Sequence, residues 1–168
     1  MATTTTGKLR VMVDANILIA GTGWPRFPYE VLQHAVQGDF TLVLSALVIE
    51  EARLHIQRLI PELAEGFEVF LREADYEEVA DPTVEEVAAN IRLVRDPKDV
   101  PVALAAIHAQ VDCLVTQDKD FTDQDESTVE LHRRLNIMLP GVFLREYMGW
   151  TSEALEVVRT RTWQDLET

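Results

Sequence analysis

The sequence predicts an α/β fold, a parallel sheet covered by helices on both faces. Three observations predict it. Short apolar runs of strand length alternate with longer segments of helical periodicity along the chain. Val11-Met12-Val13 shows no polar alternation, which marks a strand buried on both faces. The chain has 168 residues, 47% of them apolar, which suits one domain with one sizeable core.

In chain order, Val11 to Val13 form the first strand, which ends in the carboxylate of Asp14. Asn16 and a second apolar run follow, and Gly21 to Pro25 read as a turn and loop. Pro28 suits the first turn of a helix over about 29–37, closed by Gly38 and Asp39. Residues 40–44 are the second strand. Ser45 then caps a helix that reaches about Leu59, and Pro61 stops it. A helix over about 62–74 carries Leu63, Phe67, Phe70 and Leu71 on one side. Residues 76–80 read as a short strand, Asp81-Pro82-Thr83 as a turn and 84–93 as an amphipathic helix. Asp99 reads as an N-cap, with Pro101 in the first turn of an Ala-rich helix over 100–109. A strand over 112–116, a polar loop around Asp123 to Glu126, a helix over 129–135 and a strand over 137–139 come next. Residues 143–148 read as a helix, and Ser152 as the cap of a final one. The expected division is a disordered lead-in over 1–8, including Thr3 to Thr6, a domain over 9–146, and a helical tail over 147–168. Trp150 and Trp163 predict that this tail packs on the domain or on a partner.

Composition narrows the function. No apolar stretch approaches the roughly 20 residues of a membrane span, and no charged-then-apolar leader opens the chain. One cysteine, Cys113, excludes an internal disulfide framework and a Cys-rich zinc site. These features fit a cytoplasmic protein. The net charge of −14, from 15 basic and 29 acidic residues, argues against a non-specific nucleic-acid binder. Much of the acid lies between Glu62 and Glu86, where Arg72 alone opposes it, and reads as a solvated face. The histidines, His34, His55, His108 and His132, form no metal-spaced pair and read as structural or surface residues. Trp24 reads as a core or interface residue, with base stacking as the alternative. There is no Ser/His/Asp signature and no Gly-rich phosphate loop.

Four acids share a placement. Asp14 ends the first strand, and Glu51 lies in the first turns of the helix after the second strand. Asp99 opens the Ala-rich helix, and Asp118 follows the strand that ends at Thr116. In a parallel sheet, strand C-termini and the helix N-termini that follow them lie on one rim. Apposed carboxylates repel unless a cation is present. Oxygen ligands without His or Cys select a hard cation, Mg²⁺ or Mn²⁺. The chemistry implied is metal-assisted phosphodiester hydrolysis. Each acid alone has a plainer reading: Asp99 as a cap, Glu51 as a solvated helix residue, Asp118 and Asp120 as turn formers.

Val13-Asp14-Ala15-Asn16, Ser45 with Glu51, Arg95-Asp96-Pro97-Lys98-Asp99-Val100-Pro101 and Val115-Thr116-Gln117-Asp118-Lys119-Asp120-Phe121 resemble, in order and spacing, the four motifs of PIN domains. The resemblance runs from about Leu9 to Phe143 and is to bacterial PIN proteins classed as toxins of type II toxin–antitoxin systems. It implies a three-layer α/β/α fold with a central parallel sheet, and an Mg²⁺- or Mn²⁺-dependent ribonuclease. By the same resemblance Asp14, Glu51, Asp99 and Asp118 match the metal-binding, catalytic acids. Asn16, Ser45 and Thr116 match supporting positions, and Asp120 or Asp123 an auxiliary one. Asp96 is not among the expected ligands. Gln117 stands where many relatives carry glycine. Arg53, Arg95 and Lys98 are candidate RNA contacts, with Arg92 a further one. An antitoxin partner and a homodimer are also implied by resemblance. Two other classes stay open: a PIN-fold binding or regulatory module with little nuclease activity, and a phosphatase or phosphoacceptor using Asp14 as nucleophile. The latter usually has a second acid beside the nucleophile and a lysine after a later strand, whereas this chain has Asn16 and only Lys119.

Overall fold

Five parallel strands form one sheet: β1 (Arg10–Val13), β2 (Thr41–Ser45), β3 (Glu77–Val79), β4 (Cys113–Val115) and β5 (Ile137–Met138). Their order is β3-β2-β1-β4-β5. The structure, a computed structural model, describes residues 7–167. The expected lead-in, apart from Gly7 and Lys8, therefore lies outside the described residues, as does Thr168.

The central strand is β1. Met12 stands opposite Val43 on one side and Leu114 on the other, and all three are fully buried. A strand with neighbours on both edges and helices on both faces has no solvated side, so its residues are continuously apolar. The chain leaves β1 through β2 to β3 in one direction, then returns past β1 to β4 and β5. Right-handed crossovers put connections of opposite direction on opposite faces. The first group comprises α1 (Ala15–Gly23), α2 (Phe27–Val36), α3 (Ala46–Leu59) and α4 (Ala64–Glu73), with α1 packed on the other three. The second comprises α5 (Val84–Ala89), α6 (Val100–Ala109), the short α7 (Lys119–Thr122) and α8 (Val129–Arg134). The result is the expected three-layer α/β/α fold.

Two local readings are corrected. Gly21 to Gly23 are not a loop but the last turn of α1. A Cβ at Gly21 would lie 2.4 Å from Leu32 Cδ1, so glycine here serves the close approach of α1 and α2 rather than a turn. The helix α5 ends at Ala89, capped by Asn90, instead of reaching Leu93, and turns carry the chain to residue 97.

Past α9 (Pro140–Tyr147), the chain continues through α10 (Ser152–Arg159) and α11 (Trp163–Leu166) and lies against α2. The cap of α10 is Thr151, whose hydroxyl accepts from the amide of Ala154. Trp150 Nε1 donates to His34 Nε2 at 3.0 Å, and Trp163 Nε1 to the carbonyl of Gly23 at 2.9 Å. Trp163 also meets Tyr29 edge to face. Arg161 donates to Glu30 and to the carbonyl of Pro25.

Candidate metal centre

The direction of winding reverses between β1 and β4, and the chain ends of these two strands are where a crevice opens in such sheets. Asp14 and Thr116 occupy that point. The Asp14 amide donates to the carbonyl of Val115 at 3.1 Å, which ties the two strand ends together. Asp14 is 5% exposed. Its Oδ1 accepts from the amide of Ala15 at 2.8 Å, capping α1. Its Oδ2 accepts from the Thr116 hydroxyl at 3.0 Å and from Asn16 Nδ2 at 3.3 Å.

Asn16 and Thr116 form the support. Asn16 Nδ2 also donates to Thr116 Oγ1 at 3.1 Å, and Asn16 Oδ1 accepts from the amide of Gln117 at 3.2 Å. Thr116 Oγ1 accepts from the amide of Asp118 at 3.1 Å. One network thus runs from β1 to the turn after β4. Gln117 takes part through its backbone amide, and its side chain is exposed. Asp118 caps α7, accepting from the amide of Asp120 at 2.8 Å.

Asp99 sits at the N-terminus of α6, but its side chain makes no capping bond there. Asp96 caps the preceding 3₁₀ turn instead, accepting from the amide of Lys98 at 3.0 Å. Freed of that task, the Asp99 carboxylate faces Asp118. Among the described residues, Asp99 Oδ2 is the one buried side-chain polar atom with no hydrogen-bond partner. Two facing carboxylates can bond only through a proton that one of them carries, because ionised oxygens are both acceptors.

The electrostatics follow. Burial pushes Asp14 up to about 6, offset in part by its bonds from Ala15 and Thr116 and reinforced by Glu51 and Asp118. Burial and then the charge of Asp118 push Asp99 up to about 8, with Asp14 and Asp96 adding to it. An acid held mostly protonated at neutral pH by burial and like charge, Asp99, with one oxygen lacking any donor, fits a hard divalent cation. The donor set, carboxylates alone, fits the same class. Asp14, Asp99 and Asp118 lie close enough for their charges to act on one another. Glu51 is exposed on α3, near enough for its charge to act on Asp14.

Other expected residues fall differently. Ser45 is buried and caps α3 through the amide of Val48 at 3.3 Å, with no bond to the acids. Asp120, Asp96 and Asp99 each bring one carboxylate oxygen within 4.8 Å of the others. Asp96 thus joins the rim, although its sequence position did not single it out. The short Asp96-Pro97-Lys98-Asp99 turn is the signal that sets both acids together. Arg53 is held by Glu68 through two bonds of 2.8 and 2.9 Å, and Arg95 by Asp120, Asp123 and Asp125. Neither is a free cation. Lys98 is exposed and has no acidic partner among the described residues. Trp24 is 46% exposed. Burial pushes the Cys113 thiol up to about 12, which leaves it inert.

A family model described as PIN domain matches residues 10–120. The crystal structure of PAE2754 from Pyrobaculum aerophilum is similar at 19% identity and a TM-score of 0.56, over 84% of this chain and 91% of that one. The crystal structure of VapBC2 from Rickettsia felis, bound to a DNA fragment from their promoter, is similar at 18% identity and a TM-score of 0.55, over 78% of this chain and 98% of that one. At these identities the two likenesses speak for the fold. No curated protein matches the sequence. No helix among the described residues is long and apolar enough to cross a membrane.

Proposed function

We propose that this chain, which belongs to the PIN domain family, is an endoribonuclease that hydrolyses RNA phosphodiester bonds with Mg²⁺ or Mn²⁺. The observation that carries the reading is the buried Asp99 Oδ2, which has no hydrogen-bond partner, in a carboxylate whose proton affinity burial and the charges of Asp118 and Asp14 raise. These three acids are the proposed metal ligands, with Glu51 completing the set from α3. A divalent cation bound there would stabilise charge on a phosphate oxygen and make a bound water acidic enough to act as nucleophile. The protein's own part is positioning. Asn16 and Thr116 lock the orientation of Asp14, and the Asp118 and Asp120 amides fix the turn that presents Asp118. The high proton affinity of Asp99 holds a proton in the metal-free centre, and that proton leaves when a cation binds.

The test is cleavage of a pooled RNA by wild type, Asp14→Asn and Asp118→Asn with Mn²⁺ and with EDTA. Cleavage by wild type alone, lost with EDTA, is expected. An Asp14→Asn protein that folds and cuts as well as wild type would falsify the assignment.

A toxin role extends the reading. The likeness to VapBC2 supports an antitoxin protein as partner, and a homodimer is proposed with it. Co-expression with the product of an adjoining short reading frame should relieve growth arrest. A cytoplasmic location accompanies this role. The second reading is a PIN-fold binding or regulatory module with little activity. The commitment of Arg53 and Arg95 to acids favours it, since both are withdrawn from phosphate. That module would give no Mn²⁺-dependent cleavage of any RNA.

A further inference from the structure

We infer that Arg95 is a positioning residue that latches together the two acid-bearing turns of the centre. One turn spans Asp96 to Asp99, the other follows β4 from Asp118 to Asp120. Each carries two acids that face the other pair, and like charges at such range push the turns apart.

Arg95 immediately precedes the first turn and spends its whole guanidinium on the second. Nη2 donates to the carbonyl of Lys119 at 2.6 Å and to Asp123 Oδ2 at 3.0 Å. Nη1 donates to Asp125 Oδ2 at 3.1 Å, and Nε lies 3.3 Å from Asp120 Oδ1. The carbonyl it holds belongs to the residue next to Asp118. Apart from the facing carboxylates of Asp99 and Asp118, every hydrogen bond and ion pair joining residues 95–99 to 118–128 among the described residues runs through Arg95. The planar fork makes this possible. A lysine carries the same charge but cannot span four acceptors. A single exposed ion pair is worth little, whereas a shared cation held by a carbonyl and three acids is a network.

The function of the latch rests on the nuclease reading, because it keeps Asp99 and Asp118 at one cation. Its existence does not. The experiment compares wild type, Arg95→Ala and Arg95→Lys by amide hydrogen exchange, calorimetric Mn²⁺ titration and RNA cleavage. In both variants, exchange at Lys119 to Thr122 should rise about tenfold while β1 and β4 stay protected. Mn²⁺ affinity should fall about tenfold, as for other groups that orient metal ligands. At saturating Mn²⁺ the kcat should return to within a few-fold of wild type, so the defect appears in the Mn²⁺ required. Unchanged exchange together with unchanged Mn²⁺ affinity overturns the latch. Unchanged affinity with a raised KM for RNA also overturns it, making Arg95 a substrate contact. A wild type that binds no Mn²⁺ sinks the nuclease reading, and the exchange data then decide the latch alone. Should Arg95→Ala fail to fold, Asp123→Asn/Asp125→Asn removes two of the four acceptors and carries the same expectations at smaller size.

Discussion

The Thr116 hydroxyl donates to Asp14 Oδ2 at 3.0 Å, joining the ends of two neighbouring strands where the sheet reverses its winding. Thr116 is fully buried and also accepts from Asn16 and from the amide of Asp118. Thr116→Val keeps the shape and removes all three bonds. Unsatisfied buried groups cost about 1–3 kcal/mol, so the urea midpoint should fall accordingly. The Asp14 pKa should climb above about 6, because the Thr116 bond lowers it. Thr116→Ser should stay close to wild type in both measurements.

Asp14 and Asp99 both titrate above their ordinary 3.8, at about 6 and about 8. The folded protein therefore holds more protons than the unfolded chain between those values and pH 4. Stability from this source is fully present below about pH 4 and is lost as pH rises through 6 and then 8. In EDTA, urea unfolding at pH 5, 7 and 9 should show that decline. Asp99→Asn removes the buried charge and should be more stable than wild type at pH 9. Saturating Mn²⁺ should oppose the decline, since a bound cation favours the ionised acids and the folded state. A profile unchanged by Asp99→Asn would refute this account.

Gly21 lies where α1 meets α2, and a Cβ there would fall 2.4 Å from Leu32 Cδ1 and 3.1 Å from the Pro28 carbonyl. Gly21→Ala should destabilise by about 1–3 kcal/mol through overpacking, read as a lower Tm. Adding Leu32→Ala should not simply sum with it, because the smaller residue removes part of the clash.

Arg161 ties the tail to α2. Its side chain and that of Glu30 are mostly buried, and it also bonds the Pro25 carbonyl. Arg161→Ala leaves Glu30 without its cation and should cost about 2–4 kcal/mol, at the lower edge of buried-pair losses. Limited proteolysis should then cut between α9 and α11 much faster than in wild type. An unchanged digestion pattern would mean that the aromatic contacts of Trp150 and Trp163 suffice.

The sheet was legible because burial on both faces writes itself as uninterrupted apolar runs, as at Val11 to Val13. The acid positions were legible for a related reason. A carboxylate directly after a buried strand, as at Asp14, has few structural roles, and parallel topology sends every such position to one rim. Less was legible where a residue's meaning depends on a neighbour distant in sequence. Gly21 reads as a turn former until Leu32 lies against it. Asp99 reads as a helix cap until Asp96 is seen capping in its place. Arg53 and Arg95 read equally as phosphate contacts or as ion-pair partners until Glu68 and the acids from Asp120 to Asp125 close on them.

What the sequence determined by itself was the fold class, the parallel sheet and the strand-end and helix-start positions of Asp14, Asp99 and Asp118. Periodicity and strand-end chemistry are local properties, and they survive without knowledge of contacts. What only the tertiary structure decided was the charge state and pairing at those positions. It assigned Asp14 and Asp99 their raised proton affinities, left Asp99 Oδ2 without a donor and made Arg95 a tie between two turns. Burial depth and ion pairing depend on distances between segments a hundred residues apart, as from Asp14 to Thr116, and no local pattern encodes them.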